Sequence, residues 1–281
     1  MPDPLLRAAL LVPAGLSIGF IGSLVGIGGG FFVVPFLLMV SLFPGGPIAP
    51  VEATAASLAI ILLNGASATL ANARRRRIDF RTGFALAAGT VPGAWAGREL
   101  IGRLGSPAFS AGFAVLLIGV AAYVGFVRLR EGKGRVRGVP REIVDSDGQA
   151  HRYEANLPLG FLASLGVGVV SSLFGVGGGL LLVPFMVVMY GMPLLVATAT
   201  SQFTFLFTAS AGLLESLRRG HLGGAGLEVV LAMGLGAVVG AQFGVAAAKA
   251  VRPALVRSVL GAVIVAVAAL MLLNAFAGRV Q

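Results

Sequence analysis

The chain has no cysteine, two histidines, one tryptophan and little charge: Asp, Glu, Lys and Arg together make up 11% of its 281 residues. Without cysteine there is no disulfide framework, no thiolate metal site and no cysteine nucleophile. His151 and His221 both fall in polar connections between apolar segments. A catalytic or metal centre is therefore not expected, and the reading is of a protein without enzymatic chemistry or cofactor. The shortage of charge excludes still more. A soluble domain carries roughly 25% charged residues. A chain that is 57% apolar, with a mean hydropathy of +0.95, cannot surround itself with a polar shell. It reads as an all-α polytopic membrane protein.

The charge that is present is mostly basic, 21 Lys and Arg against 11 Asp and Glu, giving +10. Such a balance can point to nucleic acid. Here the basic residues fall between apolar segments, as the positive-inside bias of membrane proteins requires, so the bilayer is the expected partner and nucleic acid is not. The run Arg74 to Arg77 reads as a cytoplasmic anchor, with anionic lipid as the sharper alternative. Arg7 followed by an apolar run resembles a secretory signal. That run continues through Gly30 to about residue 42 without a small-residue cleavage site, so it is expected to belong to the mature protein.

Apolar segments lie at about 5–42, 50–73, 80–98, 108–127, 158–190, 194–217, 225–248 and 254–277. Most are long enough to span about 30 Å of hydrocarbon as a helix. Segments 5–42 and 158–190 are too long for one span and short for two, and each contains a cluster of glycines. The expected organisation is a first transmembrane repeat at 1–127, a polar cytoplasmic linker at 128–157 and a second transmembrane repeat at 158–281.

The two halves repeat. GIGGGFFVVPF at 26–36 returns 149 residues later as GVGGGLLLVPF at 175–185, with seven of eleven positions identical. ATAAS at 53–57 returns as ATATS at 197–201, and Gly93 and Gly97 return as Gly240 and Gly244. This is a tandem duplication of a four-segment unit. If 5–42 and 158–190 are re-entrant hairpins, the repeats are inverted; if each crosses once, they are parallel. Counting basic residues does not separate the two topologies. A glycine break inside a segment with short arms favours hairpins.

Three adjacent glycines weaken a helix by about 1 kcal/mol each relative to alanine, so the helix is expected to break at both clusters. A break inside a membrane survives only where protein or a polar cavity covers it. The helix that resumes after each break presents unpaired amides and the positive end of its dipole, which suits an anion. Gly93, Gly97, Gly240 and Gly244 read instead as close packing between helices. Thr54, Ser57, Asn64 and Ser67 fall near one face of a helix. Thr198, Ser201, Thr208 and Ala211 match them in the second half, where Thr200, Gln202 and Thr204 are added. A polar stripe in matching places is expected to wall a hydrophilic cavity. Glu52, Glu215 and Glu228 lie near segment ends, and Arg98 with Glu99 reads as an interfacial pair.

The doubled GxGGG motif, each copy followed by an A-T-x-x-S segment, resembles the TauE/SafE family of membrane transporters over nearly the whole chain outside the central loop. The resemblance implies export of sulfite, sulfoacetate or other small organosulfur anions across the bacterial cytoplasmic membrane. It also implies that both motifs line the substrate path. The candidate site is then Gly26, Gly28, Gly29, Gly30 and Phe31 with Thr54 and Ser57 in the first half. In the second half it is Gly175, Gly177, Gly178, Gly179 and Leu180 with Thr198, Ser201 and Gln202. Ala56 stands where the second half has Thr200, so the half-sites need not be chemically equal. The expected function is a secondary transporter working by alternating access, with an anion channel on the same helix ends as the rival. A small anion is the expected ligand, and a homodimer is one assembly open to the chain.

Overall fold

A computed structural model describes residues 4–39, 48–126, 134–251, 261 and 264–271. Apart from one β-hairpin, the regular structure among the described residues is helical. In order it runs α1 (Pro4–Val25), α2 (Gly30–Met39), α3 (Pro50–Arg74), α4 (Phe80–Ile101), α5 (Ser106–Phe126), β1 (Val139–Val144), β2 (Ala150–Ala155), α6 (Leu157–Phe174), α7 (Gly179–Tyr190), α8 (Leu194–Arg218) and α9 (Gly224–Ala247). Residues 261 and 264–271 are helical as well; the rest of the expected segment 254–277, and residues 40–42 of segment 5–42, lie outside the described residues. Among the described helices, α1, α3, α6, α8 and α9 are long and apolar enough to cross a membrane. The chain is an all-α polytopic membrane protein in its transmembrane part.

Local chemistry sets the ends of these helices. Pro50 and Pro158 stand in first turns, where the missing amide costs nothing. Asp79 accepts from the Thr82 amide and Asn156 from the Leu159 amide, capping α4 and α6. Gly175 and Gly191 end α6 and α7 in the left-handed conformation.

Helices α3 and α8 cross at the centre and are the most enclosed of the five spanning helices. Helix α9 packs on α3 and α4 on α8, while the short helices α2 and α7 lie on α3 and α8 respectively. Outside these, α1 runs along α9 and α6 along α4, so the first helix of each half rests on the fourth of the other. Glycines permit both contacts. A methyl at Gly93 would collide with the Leu165 carbonyl and one at Gly97 with the Val169 carbonyl; at Gly240 and Gly244 it would strike the carbonyls of Leu16 and Phe20. Gly89 and Gly236 extend the two stripes by one turn each. The expected packing glycines are thus placed backbone against backbone.

Contacts at the two ends fix the direction of each helix. On one face, the Ser146 amide donates to the Arg75 carbonyl, Arg141 binds Asp79 and Lys249 binds Asp147. This face therefore gathers the end of α3, the start of α4 and the end of α9. On the opposite face Arg7 pairs with Glu228, Glu52 accepts from the amides of Gly223 and Gly226, and Arg219 binds Glu99. That face gathers the starts of α1, α3 and α9 and the ends of α4 and α8. Helices α3 and α8 accordingly run in opposite directions. The Tyr190 hydroxyl donates to the Asn156 carbonyl at 2.7 Å, so the start of α6 and the end of α7 return to the same face.

The central polar stretch contains more structure than a linker needs. Strands β1 and β2 pair antiparallel from Val139↔Ala155 to Val144↔Ala150. Asp145 ties the turn by accepting from the amides of Asp147 and Gln149. The hairpin grips the membrane part through Asp79, which accepts from Arg141 Nε and one Nη, from the Tyr153 hydroxyl at 2.5 Å and from Thr82.

Candidate functional site

The two glycine clusters are breaks, and positive φ makes them so. Gly26, Gly28 and Gly29 have φ of 78°, 83° and 79°; Gly175 and Gly177 have 64° and 71°. Side chains rarely adopt that region, which is why glycine stands there. The copies are not identical: Gly178, which corresponds to Gly29, has φ −61°. Before the first break, the Gly22 carbonyl accepts from the amides of Ile27 and Gly28; before the second, Ser171 accepts from Gly175 and Val176. Beyond each break, helical bonding begins at the carbonyls of Gly29 and Gly178. The amides of Gly30 and Phe31, and of Gly179 and Leu180, therefore precede the first bonded turn and carry the positive helix end.

The two breaks meet each other. Gly30 lies against the Gly175 carbonyl, and Gly179 against the Gly26 carbonyl. Ser57 Oγ donates to the Gly175 carbonyl at 2.6 Å, and Ser201 Oγ to the Gly26 carbonyl at 2.7 Å. Each A-T-x-x-S serine thus satisfies a carbonyl released by the break in the other half. Thr198 packs on Gly26 and Thr54 on Gly175, with the same reciprocity. Ile61 touches Gly28, Gly30 and Gly177, and Phe205 touches Gly28, so two apolar side chains stand between the glycine turns. Every residue of Gly26–Gly30 and of Gly175–Gly179 is buried, as are Thr54, Ser57, Thr198, Ser201 and Gln202. The breaks are brought together and enclosed.

The polar stripe bonds both within its own helices and across to others. Thr54 donates to the Pro50 carbonyl, and Thr198 to that of Leu195. Thr208 donates to Thr90 at 2.6 Å, and Ser67 to the Val238 carbonyl at 2.7 Å. Gln202 donates from Nε2 to the Ser23 carbonyl and accepts from Asn72 at 2.6 Å; Ser23 in turn donates to Asn64 at 3.0 Å. Sequence reasoning passed over Ser23 and Asn72. Asn72 corresponds to Ser216 at the same 144-residue offset that pairs Thr54 with Thr198, so matching the halves along the whole helix was the signal that could have found it.

One expectation is overturned outright. Arg98 and Glu99 do not form an interfacial pair. Successive helix residues point about 100° apart, and here one enters the protein while the other faces out. Glu99 binds Arg103 at 3.3 Å and also Arg219. Arg98 is fully buried, donating to Thr54 Oγ1 at 2.8 Å and to the Val51 carbonyl at 3.3 Å, beside His221 Nδ1 at 3.2 Å. Burial, followed by the charges of Arg98 and Arg219, holds the His221 imidazole below its ordinary pKa. Among the described residues, no group of three or more His, Asp or Glu side chains is placed to hold a metal ion.

Residues 11–271 match the family described as "Sulfite exporter TauE/SafE". The chain is 31% identical over 218 residues to "Probable membrane transporter protein YunE" of Bacillus subtilis, covering 76% of this chain and 79% of that protein. It is 24% identical over 276 residues to "Probable membrane transporter protein MJ0441" of Methanocaldococcus jannaschii, covering 96% and 97%. No solved structure matches. The family match takes in both glycine breaks, both serine-bearing helices and all five spanning helices: the chain is a multi-pass membrane protein of the sulfite exporter TauE/SafE family of membrane transporters.

Proposed function

We propose that the protein is a secondary transporter that exports a small anion, sulfite or an organosulfonate such as sulfoacetate, across the bacterial cytoplasmic membrane. The observation that carries this reading is the meeting of two broken-helix N-termini, joined by the reciprocal Ser57 and Ser201 bonds between helices of opposite direction. The amides of Gly30, Phe31, Gly179 and Leu180 would receive the anion's oxygens once Ile61 and Phe205 move aside, with the hydroxyls of Thr54, Ser57, Thr198 and Ser201 completing the shell. The two halves are taken as inverted repeats, supported by the opposite course of α3 and α8. Rocking one against the other would open the enclosed breaks to each face in turn. The hairpin face is taken as cytoplasmic, because Arg74 to Arg77 lie at that end of α3.

The test is thermal unfolding of purified protein in detergent against sulfite, sulfate, sulfoacetate, taurine, acetate and phosphate. A ligand at about 100 times its dissociation constant adds roughly 2.7 kcal/mol. A selective rise with sulfite or sulfonates, lost in Gly177→Leu, is expected; no rise with any anion would remove the anion from the mechanism. Single-channel currents in planar bilayers would favour the channel instead.

A further inference from the structure

Arg98 sits in the last turn of α4 with its side chain wholly enclosed. An arginine keeps its charge at any physiological pH. Burying a charge without a counter-charge is expensive, and buried guanidinium groups are normally paired with carboxylates. Arg98 is not. Its three hydrogen-bond partners are a hydroxyl, a peptide carbonyl and an imidazole, all neutral acceptors, and its buried Nε has no partner among the described residues. The acids nearby are engaged elsewhere: Glu99 with Arg103 and Arg219, Glu215 with Arg218 and Arg219. Among the described residues, the other deeply buried guanidinium, that of Arg77, does have a carboxylate, Asp147 at 3.7 Å.

The position is as informative as the missing partner. Thr54, which accepts from Arg98, is also the residue against which Gly175 packs. Arg98 is therefore a single side chain away from the second glycine break. It lies on the face opposite the hairpin, between the start of α3, the end of α4 and the turn that joins α8 to α9. Val245 stands at the corresponding place in the second half, so this cation belongs to one end of the molecule only.

We propose that Arg98 is the residue that recognises the transported anion on the face opposite the hairpin, exchanging its neutral acceptors for two oxygens of a sulfite or sulfonate group. The proposal rests on the transporter reading above and adds a basis for selectivity. A planar guanidinium offers paired donors that match two oxygens of one group and gain nothing comparable from a spherical halide. Thr54 would then be the hand-over point, able to bond Arg98 on one side while touching the break on the other.

The experiment is a titration of thermal unfolding in detergent with sodium sulfite, sodium sulfoacetate and sodium chloride at constant ionic strength, for wild type, Arg98→Gln and Arg98→Lys. Wild type is expected to respond to the oxyanions at concentrations well below those needed for chloride. Arg98→Gln should bind sulfite at least about tenfold more weakly, as the loss of a charge-assisted bond implies. Its ligand-free midpoint should not fall, because an uncompensated buried charge has been removed. Arg98→Lys should retain part of the binding and lose most of the preference for oxyanions over chloride.

Wild-type affinity in Arg98→Gln, or a lowered midpoint with the sulfite response intact, would show a structural arginine and overturn the proposal while leaving the transporter reading in place. If Arg98→Gln does not fold, Arg98→Lys decides: unchanged affinity and unchanged preference overturn the proposal equally. If wild type itself responds to none of the anions, the transporter reading fails and takes the proposal with it.

Discussion

Gly29 and Gly178 are equivalent by the internal repeat, yet an alanine should affect them very differently. At Gly29 the backbone has φ 79°, and an added Cβ would stand 2.5 Å from Ile18 Cγ2 and 3.0 Å from the Ile18 carbonyl oxygen. The left-handed conformation costs a non-glycine residue about 1–2 kcal/mol. Overpacking against a fixed neighbour adds about 1–3 kcal/mol. Gly29→Ala should therefore destabilise by about 2–5 kcal/mol. At Gly178 the backbone has φ −61° and ψ −20°, which alanine adopts without strain, and the nearest atom to an added Cβ is Leu182 Cδ1 at 3.2 Å, the end of a flexible side chain. There the smaller entropy of the unfolded chain offsets the contact, and Gly178→Ala should change stability by less than about 1 kcal/mol. Thermal unfolding of both variants in the same detergent makes the comparison, with about 2–4 °C expected per kcal/mol. Equal midpoints for the two variants would refute the claim that the breaks differ in backbone conformation.

Other expectations can be checked the same way. Ser201→Ala leaves the buried Gly26 carbonyl without its donor and should cost about 1–3 kcal/mol, as should Ser57→Ala for Gly175; measured midpoints decide. Gly93→Leu and Gly240→Leu force side chains into backbone that is already in contact, and should reduce the yield of folded protein far more than Gly119→Leu, where an added Cβ meets nothing within 4 Å. Burial tends to raise the Asp79 carboxyl, but hydrogen bonds from Thr82 and Tyr153 and the charge of Arg141 outweigh it and hold the group below the usual carboxylate range. Its folded pKa is lower than its unfolded one, so its contribution is present above an unfolded pKa of about 3.9 and is lost as pH falls through the folded value. Asp79→Asn should flatten the decline of the midpoint below about pH 4.

Much of this was legible from residues whose chemistry is local. GxGGG cannot continue a helix, and both copies break it. Gly93, Gly97, Gly240 and Gly244 recur every four residues, and they pack backbone to backbone. What could not be read were facts about partners distant in sequence. Nothing near Ser57 says that its hydroxyl closes a carbonyl 118 residues away. Arg98 was misread because Glu99 stands beside it, while adjacency on a helix separates side chains rather than pairing them. The hairpin strands VPREIV and AHRYEA are short and alternate weakly, and their charges made the stretch look like plain linker.

The exchange of outer helices between the halves sets an order on biogenesis. Helix α1 leaves the ribosome long before the surface it needs, which is on α9 and is made after the hairpin and three further spanning or half-spanning elements. Until then its glycine stripe, including Gly15 and Gly19, faces lipid or a chaperone. Helix α4 waits a shorter time for α6. Neither half closes by itself, so a ribosome that stalls within the hairpin leaves α1, α3 and α4 without the surfaces of α6, α8 and α9 on which they pack. Two separately made halves could complete each other only by bringing these surfaces together, because α1, α3 and α4 find their main partners among α6, α8 and α9 although the sequence reads as two copies of one unit.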